Sequence, residues 1–131
     1  MRVIEPEDNT FDAIIADLTH QCNMECANCY LPNRDIPDMD KSRLYDLVSR
    51  LPRRTFIRLI GAEPTLRDDL HEIVREIKSR GHHVSLTTNG LKLHRMDYVQ
   101  KLKSAGLRLV LISMNGGEDD EVYKRVDGGK Y

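Results

Sequence analysis

The chain's three cysteines, Cys22, Cys26 and Cys29, fall within eight residues in the spacing C-x3-C-x2-C. Three is an odd number for a disulfide framework, and in a reducing compartment thiols clustered this tightly point to a metal. Wrapped around one soft centre, three thiolates leave a position open on a tetrahedral zinc or on one iron of a cubane cluster. An open position admits a ligand or substrate. A structural zinc site is the competing assignment, with His20 as fourth ligand, because His20-Gln21-Cys22 sets an imidazole close to the first thiol.

Such a loop needs elements to hold it. Residues 11–18 are apolar and rich in β-formers, and they read as a strand that feeds the cysteine loop at Thr19-His20. Asp40 is an N-cap candidate for a helix with apolar positions at Leu44, Leu47, Val48 and Leu51, closed by Pro52. Residues 55–60 read as a second strand running into Gly61-Ala62-Glu63-Pro64. Thr65, with Asp68 three residues on, reads as the cap of a second helix carrying Leu66, Leu70, Ile73, Val74 and Ile77 on one face and stopping at Gly81. A third strand, 84–88, breaks at Asn89-Gly90, and Met96, Val99, Leu102 and Ala105 give a third helix ended by Gly106. Residues 107–113 make a fourth strand, whose continuous run Leu109-Val110-Leu111-Ile112 is the pattern of burial on both faces. A fourth helix spans 118–126, and Gly128-Gly129-Lys130-Tyr131 closes the chain before another strand.

Strands and helices alternating at roughly 25- to 35-residue intervals give the fold class α/β, a parallel sheet of βα units with right-handed crossovers. Residues 1–131 are expected to form a single domain, with 1–10 as an N-terminal extension. In such sheets ligands collect in the loops at the C-terminal ends of the strands. Here those loops carry the cysteines, Gly61-Ala62-Glu63-Pro64, Thr88-Asn89-Gly90 and Ser113-Met114-Asn115-Gly116, so the unusual chemistry faces one rim.

Taken in order, these four loops resemble those of the radical SAM superfamily, whose hallmark is C-x3-C-x2-C after the first strand of a partial (β/α)6 barrel. Cys22-Asn23-Met24-Glu25-Cys26-Ala27-Asn28-Cys29 matches that run, and Gly61-Ala62-Glu63-Pro64 resembles the family's Gly-Gly-Glu-Pro segment. Thr88-Asn89-Gly90 and Ser113-Met114-Asn115-Gly116 resemble its third and fourth strand ends. The resemblance covers nearly the whole chain and implies a partial (β/α) barrel cut to about four strands of six. It implies that Cys22, Cys26 and Cys29 hold three irons of a [4Fe-4S] cluster, the fourth iron binding the amino and carboxylate groups of S-adenosylmethionine (SAM). Reductive cleavage of SAM then starts radical chemistry on an unknown substrate, with the electron coming from a donor such as a flavodoxin or ferredoxin.

By the same resemblance, the backbone of Gly61, Ala62, Glu63 and Pro64 accepts from the methionine amino group, and Thr88 and Asn89 belong to the SAM site. Ser113 and Asn115 contact the ribose or the carboxylate, Arg125 pairs with that carboxylate, and Asn28 and Tyr30 lie near the adenine. Two positions depart from the family pattern. Ala62 replaces the second glycine, adding only a methyl, and Asn28 stands where the family often has an aromatic, so that Tyr30 supplies the apolar surface instead.

Lys and Arg number 20 and Asp and Glu 21, a net charge of −1 that disfavours a general phosphate-binding surface and a nucleic-acid partner. With 40% hydrophobic and 31% charged residues and a mean hydropathy of −0.51, the chain is neither a membrane span nor a disordered tail. An acidic N-terminus without an apolar core segment implies a cytoplasmic location. The missing strands imply a piece of a longer enzyme, or a chain that hides the apolar edge of its fourth strand by self-association. The reading from another class is a non-catalytic module, either zinc-stabilised or a degenerate SAM domain that docks a partner. His71, His82, His83 and His94 are expected at the surface.

Overall fold

A computed structural model describes residues 5–8, 10–31 and 33–128. Residues 1–4 and 9 of the expected N-terminal extension, and 129–131 at the expected chain end, lie outside the described residues. Strands and helices alternate as β1 (Ala13–Asp17), α1 (Lys41–Arg50), β2 (Phe56–Ile60), α2 (Leu70–Ser79), β3 (His83–Thr88), α3 (Met96–Ala105), β4 (Leu109–Ile112) and α4 (Asp120–Val126). The strands form one sheet in the order β1-β2-β3-β4 with every neighbouring pair parallel. This is the α/β class read from the sequence.

The register sets Ile57 beside Val84 and Leu59 beside Leu86. These four side chains are buried with Leu44 and Val48 of α1, Ile73, Val74 and Ile77 of α2 and Leu102 of α3. Each fully buried Leu or Ile contributes about 1.5–3 kcal/mol, so this helix-covered face is the main source of stability. The opposite face carries Ile15, Arg58, Ser85 and Leu109 in one row, with Ile15, Arg58 and Leu109 exposed.

The fourth strand departs from the two-sided burial expected of its apolar run. Its four residues are between 37% and 56% exposed. Burial on both faces requires covering elements and a strand on each side, and β4 pairs only with β3 among the described residues. It is an open apolar edge.

The second helix also starts later than the cap signal suggests. A 3-10 turn, Pro64–Leu66, comes first, and α2 opens at Leu70. Thr65 cannot cap a helix because its N–H and hydroxyl both donate to Glu63, at 3.0 and 2.6 Å. The turn is fixed by the buried Arg67, which donates to Leu18 O at 2.9 Å and Met39 O at 2.7 Å while gripping both carboxylate oxygens of Asp69 at 2.9 and 2.8 Å. One guanidinium thus ties the end of β1, the approach to α1 and the start of α2.

The hydrogen bond from Arg67, with its positive charge behind it, holds the Asp69 carboxyl below the ordinary carboxylate range. A lowered folded-state value means that this stabilisation is complete above the unfolded value, near about 4, and is lost as pH falls through the folded one. Arg67→Met should cost about 2–3 kcal/mol in urea unfolding at pH 7. The difference from wild type should shrink as melts move to acid pH, once Asp69 has taken up its proton in both proteins; an unchanged difference would remove Asp69 from the account.

His82 is not at the surface. It is buried, with Nδ1 accepting from Thr55 N at 3.2 Å and Nε2 hydrogen-bonded to Val48 O at 3.0 Å. A ring nitrogen that accepts an amide N–H carries no proton, so Nε2 is the protonated one. The imidazole joins α1 to the start of β2.

Candidate functional site

Each strand of the sheet ends on the same side, and the loops that follow enclose a cleft of about 290 Å3. Cys22, Cys26, Cys29, Asn28 and Tyr30 line it from the β1 loop, Gly61 and Ala62 from the β2 end, Thr88 and Asn89 from β3, and Ser113 and Asn115 from β4. Three residues singled out in the sequence lie elsewhere: Glu63 and Pro64 are buried and do not line the cleft, and Arg125 is exposed on α4, outside the lining. A larger cavity of about 540 Å3 lies beside β1 and α1 and contains His20 but none of the cysteines.

The β1 and β2 ends touch backbone to backbone. Ala62 N donates to Thr19 O at 2.7 Å and Glu63 N to Gln21 O at 2.9 Å. A Cβ at Gly61 would sit 2.6 Å from Thr19 O, so only glycine permits this approach. Ala62 needs no such freedom, since no non-glycine residue among those described has positive φ.

Glu63 is the hub between β2 and β3. Fully buried, its Oε1 accepts from Thr65 N at 3.0 Å, Thr65 Oγ1 at 2.6 Å and Thr88 Oγ1 at 2.6 Å, while Oε2 accepts from Asn89 N at 2.7 Å. Four donors match the acceptor capacity of a carboxylate. The Thr88 hydroxyl is therefore committed to Glu63. Gly90 follows in the left-handed region with φ of 81°, and the Asn89 side chain accepts from Leu91 N at 3.0 Å, which closes the turn.

The cysteine loop is anchored by groups distant in sequence. Cys26 Sγ donates to Asp127 O at 3.3 Å, Ala27 N donates to Val126 O at 2.9 Å, and a Cβ at Gly128 would lie 2.4 Å from Glu25 O. The end of α4 is thus packed directly on the loop. Arg34 donates from Nη1 to His20 O at 3.2 Å and from Nη2 to Cys29 Sγ at 3.1 Å, bringing a cation to the third sulfur.

Sequence reasoning missed both Arg34 and Asp127. Asp127 did carry a signal: an acidic residue at a helix C-terminus opposes the macrodipole and calls for compensating donors. It has three, Asn115 N at 3.0 Å, Asn115 Nδ2 at 2.7 Å and Gly116 N at 2.8 Å. Burial pushes the Asp127 carboxyl up, but these donors outweigh it and hold the group below the ordinary carboxylate range.

The donor set suits a soft metal centre. Three sulfurs line the cleft, whereas the Asp127 carboxylate is occupied by its own hydrogen bonds. Cys26 and Cys29 donate to Asp127 O and Leu31 O, so the sulfurs must turn inward to share one centre, and no three His, Cys, Asp or Glu side chains among the described residues already converge on one ion. His20 is directed elsewhere: Nδ1 is 3.0 Å from Asn33 O and Nε2 is 3.5 Å from Asp17 Oδ2.

Comparison with known proteins returns a match between residues 17–131 and the model of the Radical SAM superfamily. The chain is 37% identical over 121 residues to the "Probable GTP 3',8-cyclase" of Methanococcus aeolicus, covering 86% of this chain and 40% of that protein. It is 39% identical over 117 residues to the protein of the same name from Saccharolobus solfataricus, covering 85% and 37%. With "7,8-dihydro-6-hydroxymethylpterin dimethyltransferase" of Methanocaldococcus jannaschii, identity is 33% over 108 residues, covering 76% and 21%. The chain therefore spans 40% or less of the length of these curated relatives. Among solved structures, Streptococcus suis SuiB bound to precursor peptide SuiA shares the fold with a TM-score of 0.72 at 18% identity, over 89% of this chain and 27% of that one. No helix among the described residues is long and apolar enough to cross a membrane.

Proposed function

The chain belongs to the radical SAM superfamily, and from that premise we propose that it forms the cofactor-binding part of a radical SAM enzyme, with Cys22, Cys26 and Cys29 as ligands of a [4Fe-4S] cluster and SAM seated in the adjoining cleft. The observation that carries this reading is convergence: the three thiols and residues that follow each of the four strands line one cleft. When bound, the cluster supplies the electron that splits the sulfonium of SAM and so starts radical chemistry on a substrate.

The chain's own residues bind and orient. Gly61 and Ala62 present backbone to the cleft, held against Thr19 and Gln21, and they form the seat for the amino group of the methionine moiety. Tyr30, 72% exposed at the cleft wall, offers an uncommitted aromatic face for a base. Glu63 acts through its neighbours, fixing the Thr88-Asn89 backbone against the β2 turn. Arg34 keeps a positive charge at Cys29, where a metal-bound thiolate would lie. Arg125 is exposed on α4 and does not line the cleft.

Relatives named for a cyclase and for a dimethyltransferase match this same stretch of chain. Their difference in name supports a shared cofactor half rather than a shared substrate, so the substrate is read by surfaces beyond these loops. A small redox protein such as a flavodoxin or ferredoxin is the electron donor in this reading. The open edge of β4 is where further chain or a second copy would pair.

Anaerobic reconstitution with iron and sulfide should give about four irons and four sulfides per chain. About one zinc and no sulfide would replace this reading with a structural metal site.

A further inference from the structure

Asn115 lines the cleft, and Asp127 decides which way its amide faces. Asp127 is only 2% exposed. Its Oδ1 accepts from Asn115 Nδ2 at 2.7 Å, and its Oδ2 accepts from Asn115 N at 3.0 Å and Gly116 N at 2.8 Å. A carboxylate flanked by donors only accepts, so it selects the nitrogen of the amide and turns the oxygen to the opposite side. No described group donates to that oxygen. The surrounding backbone leaves little play: a Cβ at Gly116 would stand 2.3 Å from Tyr123 Cα, so the Asn115-Gly116 segment lies directly on α4.

Resting on the functional reading above, we propose that Asp127 is a positioning residue that makes position 115 a hydrogen-bond acceptor. The ligand group taken there is a donor, a hydroxyl or an ammonium, and not a carboxylate. SAM carries both donor types, on its ribose and on its methionine moiety. Asp127 also accepts from the Cys26 thiol through its main-chain carbonyl, at 3.3 Å, a contact given up once a metal displaces the thiol proton.

The test is calorimetric binding of SAM, a 2',3'-dideoxy analogue and a desamino analogue to the reconstituted wild type, Asn115→Ala and Asp127→Asn, with iron content and melting temperature measured in parallel. Wild type should bind at least one of the two analogues about tenfold more weakly than SAM, the cost of one missing hydrogen bond. The desamino analogue also forfeits the seat at Gly61 and Ala62, so the group at position 115 is the one whose loss weakens wild type but not Asn115→Ala. Both variants should lose that preference to within about twofold while keeping their iron, which a merely structural role would not produce. Asp127→Asn discriminating like wild type would overturn the positioning role. Equal binding of all three compounds by wild type, or every preference of wild type retained in Asn115→Ala, would overturn the acceptor assignment, and the exposed position of Asn115 keeps that variant informative if Asp127→Asn unfolds. Failure of wild type to bind SAM at all is a separate result: it overturns the functional reading and this inference with it.

Discussion

Cys26→Ala should leave the reconstituted protein with less than about one iron per chain, where wild type carries about four. Cys26 is the middle ligand of the proposed set and shares the cleft with Cys22 and Cys29. Two remaining thiols cannot hold a cubane against exchange, so loss should be near complete rather than graded. The fold should survive. The thiol's one hydrogen bond goes to Asp127 O at 3.3 Å, a weak contact, and the variant should melt within about 1 kcal/mol of wild type. Burial pushes the Cys26 thiol up, and the negative charges of Asp127, Cys22 and Cys29 push the same way. A metal must displace that proton, so wild-type loading should strengthen as pH rises. Iron and sulfide assays beside a thermal melt check all of this, and a full cubane in Cys26→Ala would remove the ligand assignment.

Glu63→Ala should be the most destabilising single change in the site, by about 4 kcal/mol. It strands the N–H of Thr65 and two threonine hydroxyls among buried residues, and the N–H of Asn89 at the half-buried cleft wall. Each unmatched donor costs about 1–3 kcal/mol, and water entering the space left behind keeps the total below the sum. Glu63→Gln is the sharper experiment. The hydroxyls of Thr65 and Thr88 can rotate to accept, but the backbone N–H of Thr65 faces one carboxylate oxygen and that of Asn89 the other. Whichever way the glutamine amide turns, its NH2 meets one backbone N–H that cannot turn away. About 2 kcal/mol should be lost even though the shape is kept, and SAM affinity should fall as the β2 and β3 turns separate. Urea unfolding of the two variants gives the ranking; a Glu63→Gln protein as stable as wild type would mean that the carboxylate is not the hub.

The alternation of strands and helices was legible because each element carries its own periodicity and stop residue. The rim of four loops followed from that alternation, since parallel strands must all end on one side. Local signals failed where distant groups claimed the same atoms. Thr65 had the sequence of a helix cap, but Glu63 takes its donors and the helix waits until Leu70. His82 looked like a connection residue until Val48 and Thr55 engaged both its nitrogens. The apolar run of β4 reported what the strand could bury and not what is there to cover it. In the site, the cysteine spacing was visible from composition and order alone. The place of Asp127 beside Cys26 was not, because that contact spans 101 residues, and the acidic residue at a helix end signalled only a need for donors. Arg125, two residues earlier, is exposed on α4 and does not line the cleft.

The most direct test of the central claim is EPR spectroscopy of the anaerobically reconstituted and reduced chain, before and after addition of SAM, with 5'-deoxyadenosine measured in the same samples. A reduced-cluster signal that shifts on adding SAM, accompanied by 5'-deoxyadenosine, is the predicted result. A loaded cluster whose signal ignores SAM, with no 5'-deoxyadenosine formed, would contradict it.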